Sequence, residues 1–135
     1  GFMMCLQELA TIRRHNLPIR IFLFNNRGHG IQKQTIDNWL NSHYVGVDEA
    51  TGLYFPDYEK IASAFDIPFF PLKTNKDLSL LPEIWKHRGP ILCDVQILET
   101  AKIVPMLKFG AGIEDLDPKL PKEEAEAIRE EAGRV

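Results

Sequence analysis

The sequence predicts an α/β protein with three layers, α/β/α, around a mostly parallel sheet. Strand-like runs at Ile19 to Phe24, Phe69 to Leu72 and Ile91 to Ile97 alternate with stretches of helical periodicity. The last run, Ile91-Leu92-Cys93-Asp94-Val95-Gln96-Ile97, has the apolar density of a strand buried in a parallel sheet. A polar, glycine-bearing segment directly follows the first strand, where open α/β sheets hold their ligands. At 135 residues, 44% hydrophobic and 26% charged, the chain has the size and make-up of one soluble domain with a substantial core.

Phe2, Cys5, Leu6, Leu9, Ala10 and Ile12 recur at helical spacing with charge opposite, which predicts an amphipathic helix ending near His15-Asn16. Leu17-Pro18 breaks it and feeds the first strand, which ends in Asn25-Asn26-Arg27-Gly28-His29-Gly30. Two readings of that ending stand side by side. Asn and Gly both tolerate positive φ and make plain turns. Equally, two amides at the carboxyl end of a strand offer oxygen donors to a hard cation or a polar ligand.

Ile31 to Pro56 is a long polar stretch, too long for an ordinary connection, with a short helix expected around Thr35 to Leu40 and anchors at Trp39, Leu40, Tyr44 and Val45. Asp57 is the expected N-cap of a helix whose Tyr58, Ile61, Ala62 and Phe65 face the sheet. Phe69 to Leu72 carries Pro71 and so belongs at a sheet edge or strand end. The next helix should turn Leu78, Leu81, Ile84 and Trp85 inward, with Pro82 in its first turn. Beyond Leu98 the run Lys108 to Asp115 is irregular, and Pro121 to Ala132 reads as a charged, solvated helix that packs on another domain or subunit.

A net charge of −3 with scattered basic residues gives no nucleic-acid footprint. No apolar run approaches membrane-spanning length and no secretory-type leader is recognisable, so no membrane partner is expected and the expected location is cytoplasmic. Cys5 and Cys93 are expected as buried small hydrophobes rather than a disulfide. His15, His29, His43 and His87 lack ligand spacing, so zinc is not expected.

The succession of helix, Leu17-Pro18, strand and Asn25-Asn26 resembles the C-terminal cofactor domain of thiamine-diphosphate enzymes of the acetolactate-synthase-like family, whose motif runs from Gly-Asp-Gly to Asn-Asn. The likeness continues through Tyr44-Val45-Gly46, Phe55-Pro56-Asp57 and Gly89-Pro90-Ile91-Leu92. It implies a diphosphate-binding domain over residues 1 to 120, lacking its first strand and its Gly-Asp-Gly, and a charged helical tail over 121 to 135. It further implies thiamine diphosphate and Mg²⁺ as cofactors, with Gly1, Phe2, Asn26, Gly28, His29, Gly30 and Ile31 around the cofactor. Asn26 would give the metal a side-chain oxygen and Gly28 a backbone carbonyl, while glycines at 1, 28 and 30 would let backbone approach the ligand. No catalytic residue is assigned within the chain.

The implied activity acts on 2-oxo acids by decarboxylation followed by carboligation. A simple decarboxylase, or a non-catalytic α/β binding domain with a degenerate metal site, remains as the alternative. In the family a glutamate on a pyrimidine-binding domain, of the same or a second subunit in a homodimer or homotetramer, activates the cofactor. The chain alone is therefore expected to be inactive and to bind cofactor weakly. Gln32, Gln34 and Thr35 are candidates to face substrate, with a solvated loop as the other reading. Thr35 stands where anabolic members carry a pocket tryptophan, and His29 where many carry Tyr or Leu, which leaves His29 either a hydrogen-bond donor near the cofactor or an exposed loop residue.

Overall fold

The computed structural model describes residues 1–108, 110–112 and 115–133. Phe109, Ile113 and Glu114 of the irregular run, and Arg134 and Val135 of the tail, lie outside the described residues. The chain forms two compact units, Gly1–Ala101 and Lys102–Val135.

In the first unit a 3-10 turn over Phe2–Cys5 leads into helix α1 (Glu8–Arg14), strand β1 (Arg20–Asn25) and helix α2 (Gly30–Trp39). Helix α3 (Tyr58–Ala64), strand β2 (Phe69–Leu72), a 3-10 turn over Asn75–Leu80, helix α4 (Leu81–Lys86) and strand β3 (Ile91–Gln96) follow. The sheet is parallel throughout, in the order β1-β3-β2, with Phe22 opposite Cys93 and Phe70 opposite Cys93 from the other side. Strand β3 is central, and its first four residues are buried, as its apolar density requires. Pro71 sits on the edge strand, where a missing N–H costs no ladder bond to a further neighbour.

Alternation along the strands divides the core into two layers. Leu92, Ile21 and Leu23 face one side with Leu9 and Ile12 of α1 and Ile61 and Ala62 of α3. Ile91, Cys93, Phe22 and Val95 face the other with Leu80, Leu81 and Ile84. This is the expected three-layer arrangement. Burial pushes the Cys93 thiol up to about 11. Arg20 crosses from β1 to the end of α4 and donates to the carbonyls of Ile84, Trp85 and His87, at 3.3, 2.8 and 2.6 Å. It meets carbonyls that have no partner within a helix at its C-terminus, where a cation also opposes the negative dipole end.

Several expectations are corrected, among them the anchors Trp39, Leu40 and Val45, which are exposed. Cys5 is exposed, because the first turn is 3-10, with three residues per turn, and rotates it out of the α-helical stripe. Leu78 is exposed for the same reason, lying in the 3-10 turn before α4. Trp85 is 57% exposed and packs beside Phe22 and under the Arg20 guanidinium at the rim of the core. The helix expected around Thr35 to Leu40 is longer: α2 starts at Gly30, five residues earlier, and ends at Trp39. Asp57 does cap α3, accepting from the N–H groups of Glu59 and Lys60.

The second unit has a two-stranded antiparallel ribbon, β4 (Met106–Leu107) with β5 (Leu116–Asp117), and helix α5 (Lys122–Ala132). Among the described residues no helix is long and apolar enough to cross a membrane.

Candidate functional site

Strand β1 delivers Asn25 and Asn26 to the carboxyl edge of the sheet, where the chain turns into α2 within five residues. The turn is made of two successive side-chain-closed bends. Asn25 Oδ1 accepts from the Arg27 N–H at 3.2 Å and Asn26 Oδ1 from the Gly28 N–H at 3.3 Å. Arg27 adopts φ 49, in the left-handed region, and the short amide of Asn25 holds it there. The plain-turn reading thus describes the backbone correctly, and the same turn lines a cleft.

A second segment lies against this loop. Gly28 pairs with Asp48 in an isolated antiparallel bridge, closed by the His29 N–H donating to the Val47 carbonyl at 2.8 Å. Gly28 therefore occupies the non-hydrogen-bonded position, where its own N–H and C=O point away from the partner strand. Its N–H goes to Asn26, and its carbonyl is directed to the same side. A Cβ at Gly28 would lie 3.0 Å from the Val47 carbonyl oxygen, so glycine here admits the neighbouring segment. A Cβ at Gly30 would lie 2.7 Å from Asn26 Nδ2, so glycine there makes room for the Asn26 amide. At Gly1 nothing in this chain lies within 4 Å of a Cβ built there, so no neighbour within the chain requires glycine at that position.

An open cleft of about 420 Å³ brings Gly1, Phe2, Asn26, Gly28 and His29 together, with Tyr58 in its wall. A smaller one of about 300 Å³ continues past Asn26 and His29 to Gly30, Ile31 and Gln32. All seven residues expected around the cofactor therefore line these two clefts. Phe2 stacks edge-on against Tyr58, with centroids 5.9 Å apart, and fixes the first turn to α3. Burial, then the nearby Asp94 carboxylate, push the Tyr58 phenol up, with Arg27 pulling the other way. Asp94 itself is buried, its Oδ1 without a hydrogen-bond partner among the described residues.

The substrate-facing candidates separate. Gln32 is exposed and lines the smaller cleft, whereas Gln34 is buried, because two residues on a helix differ by about 200° in direction. Thr35 is half-buried on α2, outside the residues lining the two clefts. His29 is exposed at the N-cap of α2. Lys33 and Asp48 had no assigned role from sequence. The signal for Asp48 was the spacing Asp48-Glu49-Ala50-Thr51, which forms a reciprocal cap in which Asp48 accepts from Thr51 and Thr51 from the Asp48 N–H.

Residues 1–95 match the family model described as thiamine pyrophosphate enzyme, C-terminal TPP binding domain. The chain belongs to this family. As a TPP-binding domain it is 31% identical over 121 residues to acetolactate synthase 1, chloroplastic, of Zea mays, covering 86% of this chain and 19% of that protein. It is 34% identical over 111 residues to the acetolactate synthase large subunit of Porphyra purpurea, covering 82% and 18%. The large subunit of Cyanidium caldarium matches at 33%, covering 82% and 19%. The domain thus spans less than a fifth of the length of these curated relatives.

The donor set fits the group the family binds. Mg²⁺ bridging a diphosphate takes hard oxygen ligands, few of them from protein. Asn26 Oδ1 has a second lone pair beyond its long bond to Gly28, and the Gly28 carbonyl is turned to the same side. Among the described residues no cluster of three or more His, Cys, Asp or Glu competes as a metal site.

Proposed function

We propose that this chain forms the metal and diphosphate side of a thiamine-diphosphate- and Mg²⁺-dependent enzyme that decarboxylates a 2-oxo acid and joins the product to a second carbonyl compound. The observation that carries this reading is that Asn26 and Gly28 line one cleft together with Gly1 and Phe2. Asn26 and Gly28 would hold the metal, while Gly1, Phe2, His29, Gly30 and Ile31 would line the diphosphate. The bound cofactor supplies a nucleophilic carbon and an electron sink for loss of carbon dioxide. The chain's own part is to bind and orient: the twin Asn bends fix the loop, and glycines at 28 and 30 keep side chains out of it. Carboligation rather than simple decarboxylation rests on the similarity to acetolactate synthases.

The partner in this reading is a pyrimidine-binding domain, of the same or a second subunit, in a homodimer or homotetramer. Support comes from the cleft rim, where Met4, Phe24, Tyr54 and Ile31 are 82%, 69%, 82% and 64% exposed. Apolar groups gathered at a site mouth suit cover by a second surface. A cytoplasmic setting belongs to the same proposal, supported by the unpaired thiols of Cys5 and Cys93. Calorimetric titration of the natural polypeptide carrying this chain, with thiamine diphosphate with and without Mg²⁺, tests the proposal. Metal-dependent binding that Asn26→Leu abolishes is the expected result; absence of metal-dependent binding sinks it.

A further inference from the structure

Lys33 and Asp48 form an ion pair that stands apart from the surface pairs of this chain. Lys33 Nζ lies 2.7 Å from Asp48 Oδ2, and both side chains are only 17% exposed. The neighbouring Arg27–Glu49 pair, at 3.0 Å, has side chains 55% and 49% exposed. Every polar atom of the inner pair is committed. Asp48 Oδ1 accepts from the Thr51 N–H and hydroxyl at 3.0 and 2.7 Å, leaving Oδ2 for the lysine. The ammonium also sits over the Tyr44 ring, 5.7 Å from its centroid, and the Tyr44 hydroxyl donates to Asp37 further along α2. Lys33 belongs to the first turn of α2, its N–H donating to the His29 carbonyl at 2.9 Å.

The pair therefore joins the two segments that meet at Gly28. One is the Asn26–His29 loop with the helix it starts, and the other is the Val47–Thr51 segment that takes the His29 N–H. That bridge directs the Gly28 carbonyl away from Asp48. We infer that Lys33 and Asp48 are positioning residues, a latch that holds the Val47–Thr51 segment on the loop and so sets the direction of the Gly28 carbonyl toward the metal. The inference rests on the metal-binding reading above and adds to it the part of the chain that keeps one ligand in place. The physical warrant is the difference between ions. Mg²⁺ demands near-octahedral ligands at about 2.0–2.1 Å, whereas Ca²⁺ accepts looser geometry at about 2.3–2.6 Å. A ligand carbonyl released from its bridge is lost to Mg²⁺ more than to Ca²⁺.

The test compares Lys33→Met and Asp48→Asn with the unaltered natural polypeptide, titrating Mg²⁺ and Ca²⁺ separately at saturating thiamine diphosphate. Both variants should lose about 10–100-fold in Mg²⁺ affinity, the usual effect of removing an outer support of a metal ligand. They should lose distinctly less for Ca²⁺, and Lys33→Arg should recover part of the loss. Glu49→Gln, which breaks only the exposed pair, should leave both affinities as they were. Equal loss for both ions alongside a lowered melting temperature would mean a merely structural role and overturns the latch. Unchanged affinities in Lys33→Met and Asp48→Asn overturn it too, with the metal site itself intact. If the unaltered protein binds neither ion with thiamine diphosphate, the metal-site reading fails and the latch with it.

Discussion

Replacing Gly30 by alanine separates the site from the fold, because its two effects have opposite signs. Gly30 is the first residue of α2 and its φ lies outside the left-handed region, so alanine fits the backbone. Alanine in a helix is favoured over glycine by up to about 1 kcal/mol, with less of that expected at the first position. The cost falls on Asn26. The new Cβ would sit 2.7 Å from Asn26 Nδ2, and ordinary contact begins at 3.4 Å, so the amide must retreat by about 0.7 Å. That is roughly a third of a Mg²⁺–oxygen bond of about 2.0–2.1 Å. Asn26 Oδ1 moves with it, and its 3.3 Å bond to the Gly28 N–H is too long to resist. The expected outcome is an unchanged or slightly raised melting temperature together with a loss of about 10–100-fold in Mg²⁺ affinity, or about 1.4–2.8 kcal/mol. Calorimetry on the natural polypeptide with thiamine diphosphate measures the second, and thermal unfolding the first. Mg²⁺ affinity equal to that of the unaltered protein would refute the placement of the Asn26 amide against Gly30.

Two further outcomes test the scaffold. Ile84→Ala empties a fully buried position packed against Leu72, Ile91 and Cys93 and should cost about 2–5 kcal/mol by urea unfolding, with Ile84→Val costing about 0.5–1.5; a loss under about 1 kcal/mol for the alanine variant would show that this layer is not packed as described. The N–H of Lys60, with that of Glu59, holds the Asp57 carboxyl below its ordinary 3.8, so Asp57 stabilises α3 fully above that value and the contribution disappears as pH falls through its lower folded value. Asp57→Ala should therefore lower the melting temperature at neutral pH and converge on the unaltered protein below pH 3.8, and a difference that persisted through the acid range would contradict the cap.

The sequence by itself determined the strand-and-helix alternation, because period and apolar density are local properties. Ile91 to Ile97 announced a buried parallel strand, Pro71 a sheet edge or strand end, and Asp57 a cap, and each depends on a few neighbouring residues. Asn26, Gly28 and Gly30 were marked by the resemblance rather than by the residues alone, since amides and glycines at a strand end serve as a plain turn just as well. Where short 3-10 turns replaced α-helix, at Cys5 and Leu78, periodicity misled, because a change from 3.6 to 3.0 residues per turn leaves no mark on composition. Only the tertiary structure decided what surrounds the site. Gly28 is glycine because the Val47 carbonyl, nineteen positions along the chain, comes within 3.0 Å of where its Cβ would be, and Gly30 because Asn26 folds back over it. Lys33 and Asp48 had no role in the sequence reading, and only when the two segments are laid together do both become mostly enclosed. Contacts of that kind follow from the path of the chain through space, which sets distances that sequence separation does not encode.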